Sequence, residues 1–159
     1  MTTYFCPACW TRVGADDISC PRCRGDLARL DQRSFEEKLI AALRHPEPTT
    51  RHRAAFILGE LGTAAAVKVF AELLFETAEP FFASAMVVAL GKIGGLDAER
   101  VLLRTLDHES FLVRQAAVQA LIRCGGPIAE VALQHAACDR SPSVRRIARE
   151  ILAREGHEC

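Results

Sequence analysis

Seven cysteines stand in this chain of 159 residues, and four of them crowd its first two dozen positions. Cys6-Pro7-Ala8-Cys9 and Cys20-Pro21-Arg22-Cys23 are two C-P-x-C hooks separated by ten residues. Within each hook the short spacing aims both sulfurs at one point, and the proline stiffens the turn. Two such hooks offer four thiolates to a tetrahedral ion, with Zn–S bonds of about 2.3 Å. The spacing therefore predicts a structural zinc ion (Zn2+) held by Cys6, Cys9, Cys20 and Cys23. A four-thiolate iron site and a redox-active dithiol stand as alternatives, although neither hook lies in the βαβ pattern that redox C-x-x-C pairs accompany. Four protein ligands leave no open coordination position, so the site is expected to be structural and not catalytic. A segment of about thirty residues is too short for a core of its own, and structural zinc, worth on the order of 10–16 kcal/mol, would take its place.

Outside the hooks, the residues with chemical potential are weaker signals. The stretch 81–94 is apolar almost all round: Phe81, Phe82, Val87 and Val88 join Met86, Ala89 and Leu90. A helix of that composition must be covered, either by the rest of the chain or by a protein partner or a second copy. Phe56 falls in the same repeat column as Val88, where later repeats have Gln119 and Glu150. Phe56, Phe81, Phe82, Val88 and Trp10 are thus the candidate partner-binding residues, with Trp10 able instead to pack on the knob or the first repeat. Arg51, Arg114 and Arg145 recur at one column and are expected to form an internal ladder on turn carboxylates or carbonyls such as those of Asp107 and Asp139; the alternative is a basic stripe for an acidic partner. Arg140, Arg145, Arg146 and Arg149, interrupted by Asp139 and Glu150, read as a solvated helix face. Cys124 and Cys138 read as buried thiols, and His157 and Cys159 as a frayed tail. No G-x-S-x-G, phosphate-binding glycine loop or H-E-x-x-H occurs, and Gly91-Lys92 lacks the upstream glycine of a P-loop. No catalytic residue is expected, and the protein is read as a non-enzyme.

The elements that must position these residues follow from a repeat. Gly62, Gly94, Gly125 and Gly156 are 32, 31 and 31 residues apart. Aligned on them, RHRAAFILGELG from Arg51, ASAMVVALGKIG from Ala83, RQAAVQALIRCG from Arg114 and RRIAREILAREG from Arg145 share an apolar stripe. Its columns are Ala54, Met86, Ala117, Ala148; Ile57, Ala89, Ala120, Ile151; and Leu58, Leu90, Leu121, Leu152. Spacings of three and four put these on one helix face, and each closing glycine suits a left-handed C-cap. A preceding helix in each unit carries Leu39, Ile40, Leu43; Phe70, Ala71, Leu74; Leu102, Leu103, Leu106; or Leu133, Ala137. Pro46, Pro48, Pro80 and Pro142 mark turns between the two helices. One pair cannot bury its stripe, but stacked pairs can. The expected fold is all-α: an α–α superhelix of about four helix pairs, preceded by the small four-cysteine knob. The knob is placed at residues 1–30 and the repeat domain at 34–159, with Ser34 a candidate N-cap.

The pattern V-R-x-x-A-x-x-A-L over Val113, Arg114, Ala117, Ala120 and Leu121, with its closing glycine, resembles the HEAT-like repeats of the phycobilisome lyase type over roughly residues 35–156. That resemblance implies a curved α-solenoid with the second helices lining the inner face. It departs at Ala83, where arginine is usual, and at Glu155, which reads as a polar end cap. The N-terminal segment resembles short zinc ribbons through Phe5, the two hooks and Gly25, but has Trp10 and Arg24 where glycine usually follows the second cysteine, which suggests a less regular knuckle. A closed metal site, a short solenoid and the lack of catalytic motifs point to a scaffold that binds a protein partner; the resemblances add, as alternatives, an accessory factor like the phycobilin lyase subunits and nucleic-acid binding by the ribbon. Equal numbers of basic and acidic residues weigh against nucleic acid and anionic membranes. The start has neither the basic nor the apolar region of an export leader, and the apolar run at 81–91 is too short to span a bilayer, so a cytoplasmic location with reduced thiols is expected.

Overall fold

A computed structural model describes residues 4–125 and 127–154. It is mostly helical, with nine α-helices in tandem among the described residues. Two compact units emerge, Met1–Ile57 and Leu58–Cys159.

The first unit opens with β1 (Tyr4–Phe5) and β2 (Arg12–Val13), an antiparallel pair in which Tyr4 faces Val13 and Phe5 faces Arg12. The short helix α1 (Leu27–Asp31) starts at Asp26, whose side chain accepts from Arg29 N–H. Helix α2 (Phe35–Ala42) begins at Ser34 as expected. Ser34 accepts from Glu37 N–H while the Glu37 carboxylate accepts from Ser34 N–H, a reciprocal capping box. That bond from Ser34 N–H holds the Glu37 carboxyl below its usual value. Leu39 and Leu43 are buried, as their spacing requires. Helix α3 (Pro48–Leu61) follows and buries Ala54, Ala55 and Leu58.

The second unit continues with α4 (Ala66–Glu76), α5 (Pro80–Ile93), α6 (Gly95–Thr105), α7 (Phe111–Cys124), α8 (Pro127–Ala137) and α9 (Pro142–Arg154). Helix α5 packs against α4, α6 and α7, and α7 against α6, α8 and α9. Met86, Leu90, Ala117, Leu121, Ala148 and Leu152, all drawn from the repeat columns, are buried there. Pro48, Pro80 and Pro142 do not lie in turns between helices; each opens a helix. Proline at the first helical position loses no hydrogen bond and comes with its φ already set.

The closing glycines at 62, 94 and 125 all have positive φ, at 65°, 65° and 71°. Thr63 N–H reaches Leu58 O and Gly62 N–H reaches Gly59 O, the paired bonds of a Schellman cap. Gly94 and Gly125 depart from the left-handed helical cap: their ψ values are −167° and −174°. That region is essentially restricted to glycine. Gly156 and Glu155, read as the fourth cap and the polar end, lie outside the described residues, as do His157 and Cys159.

Candidate metal centre and repeat surface

The hooks are built from backbone upward. Trp10 N–H bonds Cys6 O at 2.9 Å and Arg24 N–H bonds Cys20 O at 2.9 Å, so each hook closes the same tight turn. Cys6 N–H to Thr11 O and Cys20 N–H to Gly25 O complete the match. The residue after each second cysteine, Trp10 or Arg24, has φ of 59° or 60°. A left-handed non-glycine residue costs of order 1 kcal/mol, so the two hooks hold a strained backbone in register. The less regular knuckle expected from the missing glycines is not observed; backbone bonds impose the glycine conformation on tryptophan and arginine.

The four sulfurs converge. Cys6 Sγ lies 3.6 Å from Cys23 Sγ, and Cys9 Sγ lies 3.5 Å from Cys20 Sγ. All four lie within 4.8 Å of one another, and Cys6 and Cys20 are buried. Tetrahedral sulfurs about 2.3 Å from one ion stand about 3.8 Å apart, which fits. Cys9 and Cys23 are shifted in opposite directions. The Thr11 hydroxyl first, then its backbone N–H, stabilises the Cys9 thiolate and holds that thiol at about 6. Gly25 N–H favours the Cys23 thiolate, but loss of solvent and the neighbouring thiols outweigh it and push Cys23 up to about 11. Four convergent sulfurs are the donor set of a metal site.

Trp10 is turned inward to α2. Its Nε1–H donates to Ala41 O at 3.1 Å, and its ring meets His45 edge-on at 4.4 Å. Phe5 also meets His45 edge-on. Arg33 donates to Pro7 O at 2.6 Å and to Leu30 O, tying the segment before α2 to the first hook. Trp10 is therefore half-buried, its ring and Nε1–H engaged within its own unit.

The other candidates divide. Phe82 is only 1% exposed, and Val87 is fully buried. Phe82 is thus packed inside its own unit, where α5 meets α4, α6 and α7. Phe81 remains 69% exposed, Val88 is half-buried, and Phe56 is 59% exposed in the first unit. Cys138, read as a buried thiol, is corrected: it is exposed just past α8, whereas Cys124 is half-buried and burial raises its thiol pKa.

The arginine column behaves as an internal ladder where its bonds are seen. Arg114 donates to both Asp139 carboxylate oxygens, at 2.7 and 2.8 Å, and to the carbonyls of His108 and Glu109. Arg145 donates to Asp139 O. Asp107 is not the acceptor that the spacing suggested; it lies within reach of His135 instead, at 3.9 Å. One feature of these turns escaped sequence reasoning. Six residues before the arginine column, His45, Thr77, His108 and Asp139 each accept, through the side chain, the backbone N–H two residues on. The shared role was hidden by three different residue types, and only a column aligned by distance from the closing glycine would have exposed it.

A cysteine-clustered knob followed by helical pairs with repeating caps, columns and turn bonds defines a tandem helical-repeat protein with a candidate metal centre. The family model for HEAT repeats matches residues 36–122, and the chain belongs to that family. No curated protein matches it. Such repeats generally form non-catalytic scaffolds for protein interaction. Among the described residues, no helix is long and apolar enough to cross a membrane.

Proposed function

We propose that the protein is a cytoplasmic, non-enzymatic binding module whose knob is held by structural zinc and whose repeats bind a protein partner. The observation that carries this reading is the convergence of four sulfurs into a closed donor set next to a family of interaction repeats. Zinc is preferred to iron because it is the common ion of closed four-cysteine structural sites and brings no redox change. When bound, zinc would draw all four cysteines as thiolates and hold the two hooks together. The chain's own residues then do the rest: Trp10 ties the first hook to α2, Arg33 ties it to the segment before α2, and the second helices of the repeats offer exposed side chains such as Phe81.

The test places a photo-crosslinking residue at position 81 of the full chain in native lysate. Discrete protein adducts, suppressed by excess unlabelled chain, are expected. Adducts to nucleic acid alone, or none that the unlabelled chain suppresses, contradict the role.

A further inference from the structure

The chain's charges cancel as a whole, yet in the second unit they are sorted by helix. Helices α5, α7 and α9 carry seven Lys or Arg and a single carboxylate, Glu150. Helices α4, α6 and α8 carry three Lys or Arg and five carboxylates. A helix-end dipole favours a cation in the last turn, but it acts on one helix at a time. It does not account for the lack of any carboxylate in α5 and α7.

The repeat period arranges the exposed face of the basic helices as a grid. On α5, Phe81, Ala85, Val88 and Lys92 share one face at spacings of four, three and four. Thirty-one residues on, α7 presents Leu112, Ala116, Gln119 and Arg123, and α9 presents Ser143, Ile147, Glu150 and Arg154. None of these twelve positions is buried, in contrast to the core columns. One end of the grid holds Phe81, Leu112 and Ser143, and the other is a row of cations, Lys92, Arg123 and Arg154, about 16 Å away along a helix. Adjacent helices at about 8–10 Å set the spacing within the row.

Most of the basic side chains already have internal bonds. Arg114 and Arg145 hold Asp139, Arg146 pairs with Glu150, and Lys92 pairs with Glu60. The Lys92–Glu60 pair shows that side chains of this row reach from one repeat to the next. Beyond it the row continues with like charges, Arg123 and Arg154, both exposed and without an ion pair among the described residues.

We infer that α5, α7 and α9 form the docking surface for an acidic, amphipathic segment of a protein partner. Its carboxylates lie along Lys92, Arg123 and Arg154, and its apolar side chains lie against Phe81 and Leu112. The inference rests on the binding-module reading and supplies the partner's chemistry. A nucleic acid fits less well, because its grip grows with the number of phosphates neutralised, and half of this grid is apolar.

The test uses the full chain and fluorescence anisotropy of a labelled synthetic peptide that alternates glutamate with leucine and phenylalanine. Binding is expected to weaken about tenfold or more in Arg123→Glu and in Phe81→Glu, with far-UV dichroism unchanged, and to persist in Arg123→Lys. A lysine-for-glutamate peptide and a single-stranded oligonucleotide should bind at least about tenfold more weakly than the acidic peptide. No binding of the acidic peptide, equal binding by Arg123→Glu, or tighter binding of the oligonucleotide overturns the inference. So does self-association of the chain that Arg123→Glu abolishes, since the occupant is then a second copy. A protein adduct at position 81 with no acidic-peptide binding removes this partner chemistry but leaves the binding-module role; absence of both removes both.

Discussion

Arg114 shows how much of this fold rests on single polar residues. It is 3% exposed, and its four hydrogen bonds span two successive turns. Burying a guanidinium is costly unless it is fully paired, and removing the partner of a buried charge costs about 3–5 kcal/mol. Asp139→Ala should therefore lower stability by about that much, read from urea unfolding. The same pair sets a pH dependence. The Arg114 hydrogen bond, first among the causes, holds the Asp139 carboxyl below its ordinary 3.8. The folded state favours the ionised form, so the contribution is complete above about pH 4 and fades as pH falls through the lower folded value. Asp139→Asn should unfold at lower urea than the wild type at pH 7, and the gap should narrow on acidification. A gap unchanged down to pH 2 would contradict the pairing. The arginine column was legible in the sequence, and Arg114 and Arg145 make the ladder bonds that its spacing suggested. The acceptor was not legible, because Asp107 and Asp139 look alike until the turn positions them. The positive φ of Trp10 and Arg24 was equally hidden, since neither residue type announces it.

At the scale of elements, the second helices approach closely where their side chains vanish. A Cβ on Gly91 would sit 2.7 Å from Ala120 Cβ, and one on Gly59 would sit 2.9 Å from Ala89 Cα. Both neighbours are backbone or bound directly to it, so neither can swing aside. Alanine at position 91 gains about 1 kcal/mol of helix propensity but must force the crossing open, which costs about 1–3 kcal/mol. Gly91→Ala should be net destabilising in urea unfolding, and Gly91→Val more so; a stabilised alanine variant would show that the helices can separate without cost. The helices themselves were readable because their apolar columns recur with the closing glycines. The prolines misled as to helix starts, since the same residue that breaks a helix interior also opens a first turn. The burial of Phe82 beside an exposed Phe81 needed three packing neighbours around α5, which periodicity alone does not count.

For the molecule as a whole, two kinds of cohesion meet in one chain. The repeat helices bury a continuous apolar stripe, neighbour on neighbour. The hooks have β1, β2 and short turns, with little apolar residue to bury, and their four sulfurs converge instead. The neutral composition was a sound reason to expect no overall charge, yet it concealed the sorting of basic residues onto α5, α7 and α9, because a sum discards position. The most direct measurement is hydrogen exchange across the full chain, with metal content determined in parallel, before and after chelation. One zinc ion per chain is expected. Chelation should strip protection from the amides of Cys6, Trp10, Cys20 and Arg24 while those of Met86, Leu90, Ala117 and Leu121 keep theirs. A chain without bound metal whose hook amides are as protected as its helices would contradict the account.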